Sequence, residues 1–139
     1  MLFFDLFRHD PNLLDLPAGA ALFRAGELGD VMYVLVSGRA QVWFNGVALE
    51  EVKPGDILGE LGVIDTAPRT ATVTALTDCT FAVIDQKRFQ FLVEQTPNFA
   101  VEVMRVLARR LRQCDQRLTG APVLDSSRLP DGNISATPL

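Results

Sequence analysis

Two ionisable residues in the stretch "GDILGELGVIDTAPRTATV", residues 55–73, stand among small and apolar neighbours: Glu60 and, nine positions later, Arg69. A charge taken out of water is costly unless it is paired or hydrogen-bonded, so both need a reason to be there. "GELGVI" offers a turn glycine, an acid and a short apolar run able to make one helical turn. The first amides of such a turn lack intrahelical partners and carry partial positive charge, which suits an anion. Arg69 follows "DTAP", whose proline fixes the approach of the chain. A guanidinium facing those amides would clamp a compact, singly charged anion from two sides. An ionised Glu60 only accepts hydrogen bonds, so it suits a hydroxyl donor beside that anion. An anion next to a hydroxyl is what a ribose phosphate presents. The alternative is that Glu60 and Arg69 pair with each other at the surface. Two features argue against it: small, strand-forming Ala71, Thr72 and Val73 follow the arginine, and Gly59 and Gly62 flank the acid where a side chain would block close backbone approach.

No catalytic set accompanies this pair. His9 is the sole histidine, which precludes a multi-histidine metal site and any Ser/His/Asp or Cys/His set that does without it. His9 itself reads as a surface residue. Cys79 and Cys114 are too far apart for a CxxC motif, a disulfide framework or an iron–sulfur site. The expectation is a protein that is not an enzyme and holds neither a metal nor a catalytic cofactor.

The elements that must position Glu60 and Arg69 fall into three zones. Residues 1 to about 12 predict a short helical lead ending before Pro11. Residues 13–85 are dense in short β-type runs: "VMYVLVSG" is a buried strand closed by glycine, and "RAQVWF" and "VALEEV" flank "NG", a strong hairpin signal. "TATVTAL" and "CTFAVI" follow. Many short strands with Gly- and Asp-rich turns predict a sandwich, jelly roll or small barrel. From Gln86 the period changes: "DQKRFQFLVEQTPNF" predicts a short helix stopped before Pro97, and a long helix then runs to about Leu118. Residues 119–139, rich in proline and small polar residues, predict a flexible tail. On the long helix, Ala100, Met104, Leu107, Leu111, Cys114 and Leu118 are spaced alternately four and three apart, a heptad seam. It packs either on the protein's own barrel or against a second copy in a homodimer.

The chain has 139 residues, 48% hydrophobic and 22% charged, with a formal net charge of −4. That composition predicts one globular domain. The acidic balance argues against wrapping a nucleic acid or resting on an anionic membrane, both of which need a basic face. The opening "MLFFDLFRHD" is too short for a signal sequence and is interrupted by Asp5, and no run approaches the roughly 20 apolar residues needed to span a bilayer. A soluble cytoplasmic protein is expected.

"GELGVIDTAPRTATV" closely resembles the phosphate-binding cassette of cyclic-nucleotide-binding domains, found in catabolite activator proteins, kinase regulatory subunits and cyclic-nucleotide-gated channels. The Glu60-to-Arg69 interval is similar to the kinase-subunit form. Upstream, Gly26, Gly29 and Gly38 frame "MYVL" as in the family signature, and downstream the short and long helices resemble those of the activator group. The resemblance covers residues of about 13 to 118. It implies an antiparallel β jelly-roll barrel (about 13–85) followed by a short and a long C-terminal helix (about 86–118), the whole of 1–118 forming one cyclic nucleotide-binding domain. Phe23 departs from the signature, which usually has a smaller aliphatic there, an exchange expected to affect packing only.

Carried over by that resemblance, Glu60 would bind the ribose 2′-hydroxyl and Arg69 the cyclic phosphate. Backbone amides near Gly59, Leu61, Thr70 and Ala71 would complete the cradle, with Val42 and Leu49 walling the base and sugar. Arg110 aligns with an arginine that meets the cassette glutamate, or is a solvated helix charge. Where activator proteins place adjacent hydroxyl residues against the base, this chain has Cys114 and Asp115. Thr70 is the residue type associated with cGMP selectivity in the kinase family, and Asp115 could accept from guanine, or is solvated. Many cAMP-binding domains also carry Ser or Thr at the position of Thr70, and family abundance favours cAMP. The implied protein is a stand-alone cAMP or cGMP receptor, with the helix Ala100–Leu118 as lid or dimer arm, an unidentified effector protein and no room after Leu118 for a DNA-reading helix-turn-helix. The alternative is a ligand-free dimerisation or docking module on the same fold.

Overall fold

The computed structural model describes residues 2–119, with side chains from Phe3 to Gln113. The tail expected over 119–139 lies, beyond Thr119, outside the described residues. In chain order the elements are α1 (Leu2–Phe7), β1 (Leu13–Leu16), β2 (Ala21–Phe23), β3 (Leu28–Gly29), β4 (Met32–Ser37), β5 (Ala40–Phe44), β6 (Val47–Val52) and β7 (Ile57–Leu58). Then come α2 (Glu60–Ile64), β8 (Ala67–Pro68), β9 (Thr72–Ala75), β10 (Cys79–Ile84), α3 (Gln86–Gln95) and α4 (Pro97–Thr119). They fall into two compact units, one ending at Ala100 and the other starting at Val101.

Two four-stranded antiparallel sheets, β1-β10-β4-β7 and β2-β9-β5-β6, make the body of the first unit, with β3-β8 as a separate two-stranded ribbon. All the pairings are antiparallel, and among them only β5 and β6 are consecutive in the chain and joined by a tight turn. The "NG" turn between β5 and β6 has Asn45 at φ 51° and Gly46 at φ 78°, the left-handed pair that matches the twist of a two-residue hairpin. The fold is the mainly β, jelly-roll type with C-terminal helices, although the sheets remain open rather than closing into a barrel. Phe23, Val42, Val52, Val73 and Ala75 from one sheet meet Leu35, Leu58, Cys79 and Phe81 from the other in one buried cluster. Burial of these side chains contributes roughly 1.5–3 kcal/mol each for the larger ones.

The ends of the unit are fastened by different means. Asp85 caps α3 by accepting from the Arg88 amide at 2.8 Å, and Pro97 occupies the first position of α4, where its missing N–H costs nothing. Phe99 is buried edge-on against Phe3, Phe7 and Phe89. The lead helix is thereby docked rather than loose, and it stops at Phe7, earlier than the proline boundary suggested. Within the second unit, Val103 is buried, Val106, Leu107, Arg110 and Gln113 are half-buried, and Met104 and Leu111 are exposed. Among the described residues no helix is long and apolar enough to cross a membrane.

Candidate functional site

The short ribbon sets the position of Arg69. β8 pairs Pro68 with Leu28 and Ala67 with Gly29, so "DTAP" is not all loop. The Arg69 amide then donates to the Glu27 carbonyl at 2.8 Å, and the Gly26 amide donates to the Arg69 carbonyl at 2.8 Å. These two backbone bonds fix the root of the side chain.

Its guanidinium lies inside the fold, with the residue 8% exposed. Nη2 donates to the Val31 carbonyl at 2.9 Å and Nη1 to the Gly59 carbonyl at 3.2 Å. Those bonds use two of the five guanidinium N–H groups. Cζ sits 4.4 Å from the centroid of the Phe23 ring and 5.9 Å from that of Tyr33. Phe23 belongs to β2 and Tyr33 to β4, and their rings stack at 6.1 Å across the two sheets. Three glycines make room: a Cβ on Gly29 would come within 2.3 Å of Nε, one on Gly59 within 2.6 Å of Nη1 and one on Gly62 within 2.7 Å of Nη1. A delocalised, weakly hydrated guanidinium tolerates such a site where a lysine ammonium would not. The expectation that Phe23 affects packing only is therefore corrected: its ring is a surface on which Arg69 lies.

Glu60 opens α2 directly after Gly59, whose φ of 73° is the left-handed conformation that glycine adopts without strain. The acid is 4% exposed. With both Glu60 and Arg69 buried, the surface-pair alternative fails. Leu61 is 41% exposed, Thr70 is exposed, and Ala71 is half-buried. The Thr72 hydroxyl accepts from the Ala25 amide at 2.9 Å, tying the cassette strand to the turn after β2. Val42, across from Val73 on β9, is buried. Phe23 belongs to the same cluster as Val42, and Leu49 and Ala71 pack against that cluster. The fold thus gathers Gly59, Glu60, Arg69 and the apolar candidates Val42, Leu49 and Ala71 in one unit. Arg110 lies half-buried on α4. The side chains of Cys114 and Asp115 lie outside the described residues.

Burial pushes the Tyr33 phenol above its ordinary range even though the charge of Arg69 pulls the other way. Burial likewise raises the Cys79 thiol, whose Sγ donates to the Arg39 and Thr77 carbonyls. A raised thiol pKa makes an inert structural cysteine. His9 is exposed, and among the described residues no cluster of three metal-ligating side chains occurs.

Two features leave no local signal in the sequence. Gly29 matches the family signature, but its task of leaving space for the guanidinium is set by the fold. Asp10, 6% exposed, takes an ion pair from Arg88, which also lies over Phe7 at 5.3 Å. No short-range pattern signals a contact between residues 78 positions apart.

Residues 13–96 match the family described as cyclic nucleotide-binding domain. The chain is 31% identical over 110 residues to a CRP-like cAMP-activated global transcriptional regulator of Mycobacterium tuberculosis, covering 76% of this chain and 49% of that protein. It is 35% identical over 125 residues to an uncharacterized NTE family protein of Mycobacterium bovis, covering 89% of this chain and 21% of the other. In structure it is similar to the catabolite activator protein of Thermus thermophilus, with a TM-score of 0.71, 28% identity and coverage of 82% and 56%. The chain thus spans about half, or less, of the length of the curated relatives it matches.

Proposed function

Because the chain belongs to the cyclic nucleotide-binding domain family, we propose that it is a non-enzymatic cytoplasmic receptor for a cyclic nucleotide, cAMP before cGMP. The observation that carries the proposal is the buried Arg69 guanidinium, held by uncharged groups one glycine away from the buried Glu60. A buried cation held in this way is suited to a single compact anion. In this reading Arg69 takes the cyclic phosphate, with backbone amides of Gly59, Leu61, Thr70 and Ala71, and Glu60 accepts from the ribose 2′-hydroxyl. Val42 and Leu49 flank the sugar and base, and Arg110, Cys114 and Asp115 belong to the helix that answers the ligand. The preference for cAMP is supported by the Mycobacterium tuberculosis regulator, which is named for activation by cAMP.

Occupancy shifts the equilibrium between positions of α4 only by the difference in ligand affinity between them. The exposure of Met104 at 57% and Leu111 at 39% supports a homodimer through the Ala100–Leu118 stripe, which then acts on an effector protein. Thermal unfolding with and without nucleotide tests the proposal. At a hundredfold excess over the dissociation constant, linkage gives about 2.7 kcal/mol of added stability. A shift with cAMP or cGMP is expected. No shift with either favours the ligand-free docking module instead.

A further inference from the structure

We propose that Phe23 is a positioning residue for the anion site: its ring is the platform that holds the Arg69 guanidinium in its binding orientation before ligand arrives. The inference rests on the assignment of Arg69 to the phosphate. Four contacts of the guanidinium are uncharged: the Val31 and Gly59 carbonyls and the rings of Phe23 and Tyr33. The carbonyls fix the edge of the planar group, and the Phe23 ring at 4.4 Å fixes its face. An aromatic face carries partial negative charge, so it attracts the cation without neutralising it. A carboxylate at that position would hold the arginine equally well and cancel the charge an anion needs. Phe23 is itself locked, 9% exposed and stacked on Tyr33 from the opposite sheet. The platform therefore transmits the rigidity of the two-sheet core to a side chain that would otherwise sample many rotamers.

An aliphatic residue at 23 fills part of the same volume but offers no flat face. The guanidinium then pays for its own ordering when ligand binds, a cost that corresponds to about 2- to 10-fold in affinity for one rotamer-rich side chain. The test compares wild type with Phe23→Leu, with Phe23→Met as a second aliphatic variant of closer volume, and with Phe23→Tyr, which keeps the ring. Titration calorimetry with 3′,5′-cAMP and cGMP should give a 2- to 10-fold (order-of-magnitude) loss for the aliphatic variants and near wild-type binding for Phe23→Tyr. In an Arg69→Gln background the Phe23→Leu loss should vanish. Aliphatic variants that bind as wild type does, or a loss that persists undiminished without the arginine, would overturn the inference. A ligand-independent readout separates it from the functional assignment. The Arg69 Nε–H resonance should be shifted by the ring current in wild type and move toward the position of a free arginine in Phe23→Leu. An unmoved resonance overturns the platform. If wild type binds neither nucleotide, the assignment of Arg69 to a phosphate fails, and the resonance alone then decides whether the ring holds the guanidinium.

Discussion

Replacing Gly29 by alanine should expel the Arg69 guanidinium with a single methyl group. Gly29 is outside the left-handed region, so an alanine backbone fits. Its Cβ, however, would lie 2.3 Å from Nε and 2.4 Å from both Cζ and Nη2, well inside contact distance. The side chain must leave the Val31 and Gly59 carbonyls or the ribbon must open. Forcing atoms into a filled site costs about 1–3 kcal/mol, while removing glycine freedom from the unfolded chain returns about 0.4–1 kcal/mol. The net is a loss of up to about 2.6 kcal/mol, centred on about 1.3 kcal/mol, which for a domain near this size lowers Tm by roughly 4–8 °C at the centre of that range. Affinity for a cyclic nucleotide should fall in the same variant, because the donors no longer converge. The decisive comparison repeats Gly29→Ala in an Arg69→Ala background, where the methyl meets vacated space and should be neutral or slightly stabilising. Urea unfolding of the four proteins gives the coupling energy. An equal cost of Gly29→Ala in both backgrounds would refute the reasoning, since the glycine would then be serving the backbone rather than the arginine.

Glu60→Gln keeps size and loses charge, and should weaken cyclic nucleotide binding by about ten- to a hundredfold, the value of a charge-assisted hydrogen bond; calorimetry showing unaltered affinity contradicts its role. Burial alone would raise the Asp10 carboxyl, but the Arg88 side chain and the Asn12 amide outweigh it and hold the group below the ordinary 3.8. A carboxylate depressed in the folded state contributes its full stability above the unfolded value and loses it as pH falls through the folded one. Asp10→Asn should therefore lower stability near pH 7 by about 1–3 kcal/mol and flatten the acid side of the stability profile below about pH 4, measured as urea midpoints; an acid slope equal to wild type contradicts this. Met104→Glu, on the exposed stripe of α4, should leave the fold intact and reduce the mass seen by sedimentation to that of one chain. A mass that does not respond argues against the dimer stripe.

Much of this fold follows from short-range chemistry. Asn45-Gly46 can hardly do anything but turn a hairpin, and Pro97 both stops α3 and starts α4. The spacing from Glu60 to Arg69 was legible because buried charges are rare enough for two of them, among glycines, to require an explanation. The β3-β8 ribbon was not legible: two residues per strand leave no alternation to detect, and Pro68 argues against a strand. Nor could sequence place Phe23 beneath Arg69, since that meeting depends on the register of β2 against β9, which a bulge between Ala21 and Phe23 shifts. The docking of α1 through Phe3, Phe7 and the Asp10–Arg88 pair is likewise a tertiary event. Local pattern marked the charged pair, whereas the platform and the glycine walls appeared only once the strands were brought together.

The central claim is that the buried guanidinium of Arg69 receives the phosphate of a cyclic nucleotide, and titration calorimetry of wild type and Arg69→Ala with cAMP and cGMP addresses it most directly. Loss of bonds worth about 1.5–3 kcal/mol predicts affinity at least ten- to a hundredfold weaker in the variant, with the variant still folded by circular dichroism. Equal affinity in the two proteins would contradict the account.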